Sequence, residues 1–173
     1  MILDNFPDLF QRGLEYGWDA EHVLVGHLPR MVEAATSAEL KQILDFHLIE
    51  SKGHLYRLEQ IFARLDRSPA AEKHEPVRTI VNECERMISH LDPSPLLDAA
   101  LIFCGHQIEQ SEIGLYEPMV GFALTLGLED VAGAIDEILR QERETGHELM
   151  RLAESSINRA ASRVENTRPF ALI

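Results

Sequence analysis

At 173 residues, 45% of them apolar, the chain is long enough for one domain with a sizeable core and has no low-complexity tract. Sixteen basic side chains stand against 29 acidic ones, a net charge of −13 that excludes sequence-independent binding to nucleic acid or anionic lipid. Two cysteines, Cys84 and Cys104, are too few for a disulfide scaffold, and both lie in apolar helical patterns as reduced packing residues.

The opening, MILDNFPDLFQRG, carries acidic residues where a signal peptide needs a basic start. No apolar run reaches the roughly 18 residues that a membrane span requires, so a cytoplasmic protein is expected. From there the chain shows a period near 3.6 and no strand alternation. A first long helix starts near Asn5, with Pro7 in its first turn. Its apolar stripe runs through Phe10, Leu14, Trp18, Val25 and Leu28, and Pro29 is expected to kink it. After AATSAEL, with Thr36 or Ser37 as N-cap, a second helix over 38–65 carries Leu40, Leu44, His47, Ser51, His54, Leu58, Ile61 and Leu65 on one face. DRSPAAEKHEP is a linker, followed by a short amphipathic helix, PVRTIVNECERMISHL. DPSP stops that helix and caps a third long one over 94–126. LGLED is a tight turn with Gly127 just past the helix end, and a fourth long helix covers 129–158.

The two short turns make the first and second helices antiparallel neighbours, and likewise the third and fourth. Nearly 30 residues with their own short helix join the pairs. The expected fold is therefore all-α: a ferritin-like four-helix bundle of two hairpins and one long crossover, over 1–160, with a tail at 161–173. The apolar end of that tail, RPFALI, is a candidate for packing across a homodimer interface.

Each long helix carries a glutamate on its apolar stripe. Glu21 follows Trp18 by one turn. Glu50 shares a face with His47 and His54. Glu109 and Glu112 interrupt the apolar run of the third helix, and Glu142 stands between Ile138 and Leu149. Glu21 lies about 15 residues before the first hairpin turn and Glu50 about 13 after it; Glu112 and Glu142 lie about 15 before and about 14 after the second. At 1.5 Å of rise per residue, each pair meets at one level.

Five carboxylates in a low-dielectric interior repel one another. Two divalent cations cancel four of the five charges and use the oxygens as ligands. A carboxylate-rich set with one or two imidazoles suits iron first and manganese second, rather than structural zinc, and helical bundles hold dinuclear carboxylate centres in this way. The candidate ligands are Glu21, Glu50, His54, Glu109, Glu112 and Glu142. His47, one turn before Glu50, is the alternative imidazole or a supporting partner, and His106 supports at most. His22, His27, His74, His90 and His147 read as surface or boundary residues. Four residues after Glu142, where symmetry with Glu50 and His54 asks for a ligand, stands Gly146. That leaves either an open position for oxygen or peroxide or a weakly held ion.

The segments HLPRMVEAATSAELKQILDFHLIESKGHLYRLEQIF, DAALIFCGHQIEQSEIGLYEPM and LGLEDVAGAIDEILRQERETGHELMRLA resemble the YciF/YciE family of bacterial ferritin-like stress proteins. The resemblance spans about residues 9–153. It implies a ferritin-like bundle, commonly dimeric, with a di-metal site at Glu21, Glu50, Glu109, Glu112 and Glu142 and no established reaction. The chain departs from that pattern at Gln110 and Ser111, where the family has a His-Tyr pair, at Gly146, where an aspartate is common, and at Trp18, where a tyrosine is usual.

Two function classes follow. One is a di-metal protein, redox-active towards oxygen or peroxide or simply iron-binding; no cysteine module supplies electrons internally. The other is a structural or interaction protein, a helical dimer whose inward carboxylates are satisfied by protons, waters or the crossover. Iron storage in a hollow shell is disfavoured, because RVENTRPFALI lacks the short fifth helix of shell-forming ferritins.

Overall fold

The computed structural model describes residues 3–69 and 72–164, and among these the chain is all-helical. Helix α1 spans Phe6–Ala34, α2 Ala38–Arg64, α3 Glu75–His90, α4 Pro95–Thr125 and α5 Glu129–Leu152. A π-helical turn, Ala153–Ile157, and a short α6, Asn158–Ala161, complete the order. The fourth long helix thus keeps regular α geometry only to Leu152, although its helical path runs past 158. None of the helices described is long and apolar enough to cross a membrane.

The helix starts are built as the sequence predicts. The Asn5 side chain accepts a hydrogen bond from the Asp8 amide at 2.9 Å, Ser37 does so from Leu40 at 3.3 Å, and Ser94 from Leu97 at 3.4 Å. Each satisfies one of the donors that a helix N-terminus leaves free. Between α4 and α5, Gly127 adopts φ +71°, a left-handed conformation that suits glycine. Its N–H donates to Leu124 O, and the Leu128 N–H reaches back to Ala123 O at 2.9 Å, which is the Schellman closure of a helix. The α1–α2 turn is held from outside: Asp98 on α4 accepts from the Thr36 amide at 2.6 Å, the Thr36 hydroxyl at 2.5 Å and the Ser37 amide at 3.0 Å.

Helix α1 packs on α2 and α4, α5 packs on α4 and α2, and α3 lies against α4 and α1. The interior divides into two apolar clusters. One gathers Leu24, Leu28, Met31, Leu40, Leu44, Leu101, Ile108 and Leu149 with Val77, Val81 and Cys84 of α3. The other gathers Phe10, Leu14, Leu58, Phe62, Tyr116, Met119, Ile135 and Ile138. Burying a leucine or phenylalanine side chain contributes about 1.5–3 kcal/mol, so these clusters drive the packing at both ends. On every long helix the residues between the clusters are those that carry the glutamates. The polar layer therefore sits at mid-length, between two apolar ends.

The crossover covers more than its amphipathic pattern implies. Asp19 of α1 is buried and accepts from the His74 amide at 2.8 Å and from Arg78 Nε at 2.8 Å and Nη2 at 2.5 Å. His27 and His74, expected at the surface or boundary, are both buried because α3 and the segment before it lie over α1. His27 Nδ1 is 3.0 Å from Glu85 Oε1, and the His74 ring rests on Tyr16 with centroids 5.6 Å apart.

Candidate metal centre

The mid-length layer brings together Glu21 from α1, His47, Glu50 and His54 from α2, Glu109 and Glu112 from α4, and Glu142 from α5. All are buried, and Glu21, Glu109 and Glu112 have no exposed surface. Two sets of these side chains converge closely enough to hold a metal ion. One is His47, Glu109, Glu112 and Glu142; the other is Glu21, His54 and Glu142, with one ligand atom from each residue lying within 4.8 Å of the others in its set. Glu142 belongs to both.

Five of the six candidates from the sequence therefore fall in one set or the other. Glu50 falls in neither: its Oε2 accepts from the Thr145 hydroxyl at 3.1 Å, so it stands beside the sets. The two imidazoles are not alternatives. His47 joins one set and His54 the other, because positions seven apart on α2 face the same interior.

Hydrogen bonding separates the two sets. His54 Nδ1 lies 3.1 Å from Glu21 Oε1 and 3.0 Å from Glu142 Oε1, and its Nε2 is 3.1 Å from Gln141 Oε1. Against the cost of burial, the charge of Glu21 and the hydrogen bonds to Glu142 and Glu21 raise the His54 imidazolium to about 11. Against the same cost, the hydrogen bond and charge of His54 hold the Glu142 carboxyl below its ordinary range. Without metal, then, a proton on His54 acts as the cation of its set.

The other set has no such cation. His47 Nδ1 is 3.1 Å from Glu109 Oε1, and its Nε2 is 3.8 Å from Glu142 Oε2, but burial pushes the His47 pKa down and leaves a neutral imidazole with a lone pair to offer. Burial and the charge of Glu142 drive both Glu109 and Glu112 well above the ordinary carboxyl range. Among the described residues, no hydrogen-bond partner reaches either oxygen of Glu112, nor Glu109 Oε2, Glu142 Oε2, Glu21 Oε2 or His47 Nε2. Buried acceptors without donors cost about 1–3 kcal/mol each, more for charged groups. A divalent cation has the chemistry to satisfy them: hard oxygen ligands with a borderline nitrogen in a site closed to water. The residues present fit the group.

Tyr116 is a site residue that the stripe argument did not single out. It is fully buried, and its hydroxyl donates to Glu21 Oε1 at 2.9 Å, fixing that carboxylate. Gly17 makes room for it: a methyl group built there would stand 2.9 Å from the Tyr116 hydroxyl oxygen and 3.0 Å from its ring. Its position four residues after Glu112 was the available signal. Gly146 lies against Glu109, and a methyl group on it would reach Glu109 Cβ at 3.4 Å.

A family described as a domain of unknown function, DUF892, matches residues 5–162. Protein YciF from Escherichia coli (strain K12) is 26% identical over 162 residues, 93% of this chain and 98% of its own length. The solved structure of the E. coli stress protein YciF superposes with a TM-score of 0.85 at 26% identity, covering 90% of this chain and 98% of the other. YcfI from Rhodopseudomonas palustris, whose suggested role is structural, superposes with a TM-score of 0.81 at 28% identity, covering 86% and 94%.

Proposed function

This chain belongs to the DUF892 family, and we propose that it is a ferritin-like four-helix bundle holding a dinuclear iron or manganese centre, with residues 1–160 as the bundle and 161–173 as a tail. The observation that carries the reading is the convergence of the buried carboxylates of Glu109, Glu112 and Glu142, with no donor at either oxygen of Glu112. Three adjacent carboxyls at mid-core cost several kcal/mol as ions, and an ordinary structural core has no use for them.

In this reading His47, Glu109 and Glu112 would hold one ion and Glu21 and His54 the other, with Glu142 within reach of both. Glu50 supplements the pair once released from Thr145. When bound, two adjacent redox-active ions supply electrons towards oxygen or peroxide, the chemistry that suits a stress response. The chain's own groups do the rest. Tyr116 orients Glu21, the apolar clusters at either end exclude water, and Gln141 faces the His54 nitrogen turned away from Glu142.

Elemental analysis of protein purified without added metal tests the centre. About two iron or manganese ions per chain, lost in Glu109→Ala and Glu142→Ala, is the expected result. No metal after anaerobic loading with ferrous iron overturns it.

A second reading, a structural homodimer with no catalytic metal, draws support from the outer face of α2. Phe46, Ile49 and Tyr56 are 56%, 65% and 63% exposed, and with Gly53 they recur at spacings of three, four and three. This is the seam along which one helix packs on another. The two readings part at chelation: a purely structural protein keeps its melting temperature when stripped, whereas a metal protein loses stability. The apolar end of the tail, 169–173, lies outside the described residues.

A further inference from the structure

An open groove of about 790 Å³ follows the seam between α4 and α5 on the outer side of the cluster, and His106, Gln110, Arg143, Gly146, His147 and Arg151 are among its lining residues. Gly146 is the one of these without a side chain. A methyl group built on it would stand 3.4 Å from Glu109 Cβ, 3.6 Å from Glu109 Cγ and 3.8 Å from His106 Nδ1. Glu109 is fully buried, so at this point the floor of the groove and the wall of the cluster are the same layer of atoms.

Other glycines turned towards the interior are plugged. The space over Gly105 is taken by Leu149, over Gly17 by Tyr116 and over Gly13 by Met119, with a built methyl group meeting these side chains at 3.1 Å or less. At Gly146 no apolar side chain fills the gap; its nearest neighbours are the stem of Glu109 and an imidazole nitrogen. That imidazole is the second observation. His106 lies one turn before Glu109 on α4 and lines the groove, yet its Nδ1 is shut off from solvent with no hydrogen-bond partner. An imidazole nitrogen in that position is suited to a borderline cation. The groove arginines are already neutralised, Arg143 by Glu117 at 2.5 Å and Arg151 by Glu39 at 2.8 Å, so a cation in the groove meets little repulsion.

We propose that this groove is the route by which a divalent cation reaches the buried carboxylates, with Gly146 as the opening and His106 relaying the ion from groove to Glu109. The proposal rests on the metal-centre reading above, and it concerns the rate of loading rather than the final site. The test mixes metal-free full-length protein with Co²⁺ alone and follows the visible absorption of the bound ion in time. Gly146→Leu and His106→Ala should each slow uptake at least roughly tenfold, a barrier of about 1.4 kcal/mol, while reaching the same final stoichiometry as the unaltered protein. Gly133→Leu, at a glycine on α5 with open space around it, should load at the original rate. Gly146→Ala, whose methyl group makes only ordinary contacts, keeps the test open if the leucine variant does not fold; it should be slowed by a smaller factor. Unchanged rates in both Gly146 variants and His106→Ala overturn the route while leaving the centre intact. A lowered final stoichiometry in His106→Ala makes that residue a resident ligand and overturns the relay. No uptake by the unaltered protein overturns the centre itself, and the route with it.

Discussion

Replacing Glu112 by leucine should make the metal-free protein more stable and the metal-loaded protein less so. In the structure Glu112 is fully buried, no donor reaches either of its oxygens, and burial together with the charges of Glu142, Glu21 and Glu109 raises its carboxyl well above the ordinary range. Exchange of buried charged groups for apolar ones of similar volume is neutral to stabilising by about 1–4 kcal/mol. A gain of about 2 kcal/mol in a chain of this size corresponds to about 4–8 °C in melting temperature. Glu112→Gln keeps the shape and still buries an unpartnered polar group, so in chelator it should melt within a few degrees of the unaltered protein.

With a cation at one hundred times its dissociation constant, the unaltered protein gains about 2.7 kcal/mol, or about 5–11 °C. If Glu112 is a ligand as proposed, Glu112→Leu should gain much less. The order of melting temperatures in chelator is thus reversed on loading, and calorimetry of both proteins in both states reads the reversal directly. The pH dependence has a sign as well. Glu109 and Glu112 hold protons more tightly folded than unfolded, so the folded state binds more protons. In chelator, the contribution of these two carboxyls is then greatest below the unfolded value of about 4.5 and falls as pH rises towards the raised folded values. Glu112→Leu should flatten part of that slope. The reasoning is refuted if the leucine variant melts several degrees lower than the unaltered protein in chelator, since Glu112 would then have a stabilising partner in the metal-free state.

Asp19→Ala should cost about 2–3 kcal/mol, because it removes the ion pair with Arg78 and leaves the buried His74 amide unpaired; urea unfolding measures it. Against the cost of burial, the hydrogen bonds of Arg78 and of the His74 amide hold Asp19 below its ordinary carboxyl value. Its contribution is therefore present above about pH 4 and lost as pH falls through the folded value, and the alanine variant should lack that acid loss. Asp98→Ala frees the three donors of the α1–α2 turn and should cost about 2–4 kcal/mol with no change in metal stoichiometry. Ile49→Glu on the exposed face of α2 should weaken a dimer by about 1.5–3 kcal/mol, roughly ten- to a hundredfold in dissociation constant; sedimentation that shows no shift removes that face from the interface.

The mid-length layer was legible because a helix advances at a constant rate. Counting from the short turns was enough to level Glu21, Glu50, Glu112 and Glu142, and any glutamate on those stripes had to face inward with them. What counting along helices cannot supply is which side of a helix a non-neighbouring segment covers. His27 and His74 read as boundary residues because the crossover that buries them is distant in sequence. Nothing in the sequence singles out Asp19 and Asp98, because their partners, backbone amides, the Thr36 hydroxyl and Arg78, stand some 55 to 62 residues away. The hydrogen bond of Glu50 to Thr145 was not legible for a related reason. Its height and face are right, but the Thr145 hydroxyl competes for its oxygen, and that competition is decided by the rotamers of α2 and α5 together.

Gly17 and Tyr116 show how such a pair becomes legible once the packing is known. Glycine inside a helix costs about 0.5–1 kcal/mol relative to alanine, so one on the buried face of a long helix asks for a compensating contact. Here the compensation is a phenol ring seated on the glycine backbone, with its hydroxyl on Glu21. Tyrosine stands at 116, four residues beyond Glu112, and tryptophan at 18 is only half-buried against Phe62. The aromatic group that orients the Glu21 carboxylate therefore comes from α4 rather than from the neighbour of Gly17 on α1. Gly17→Ala should gain helix propensity yet displace the phenol, so its net effect on stability stays small. The hydrogen bond to Glu21 is the part that should be lost. Tyr116→Phe should then share its metal-binding defect without sharing its packing strain, and a Gly17→Ala variant with normal metal binding would show that Glu21 needs no such support.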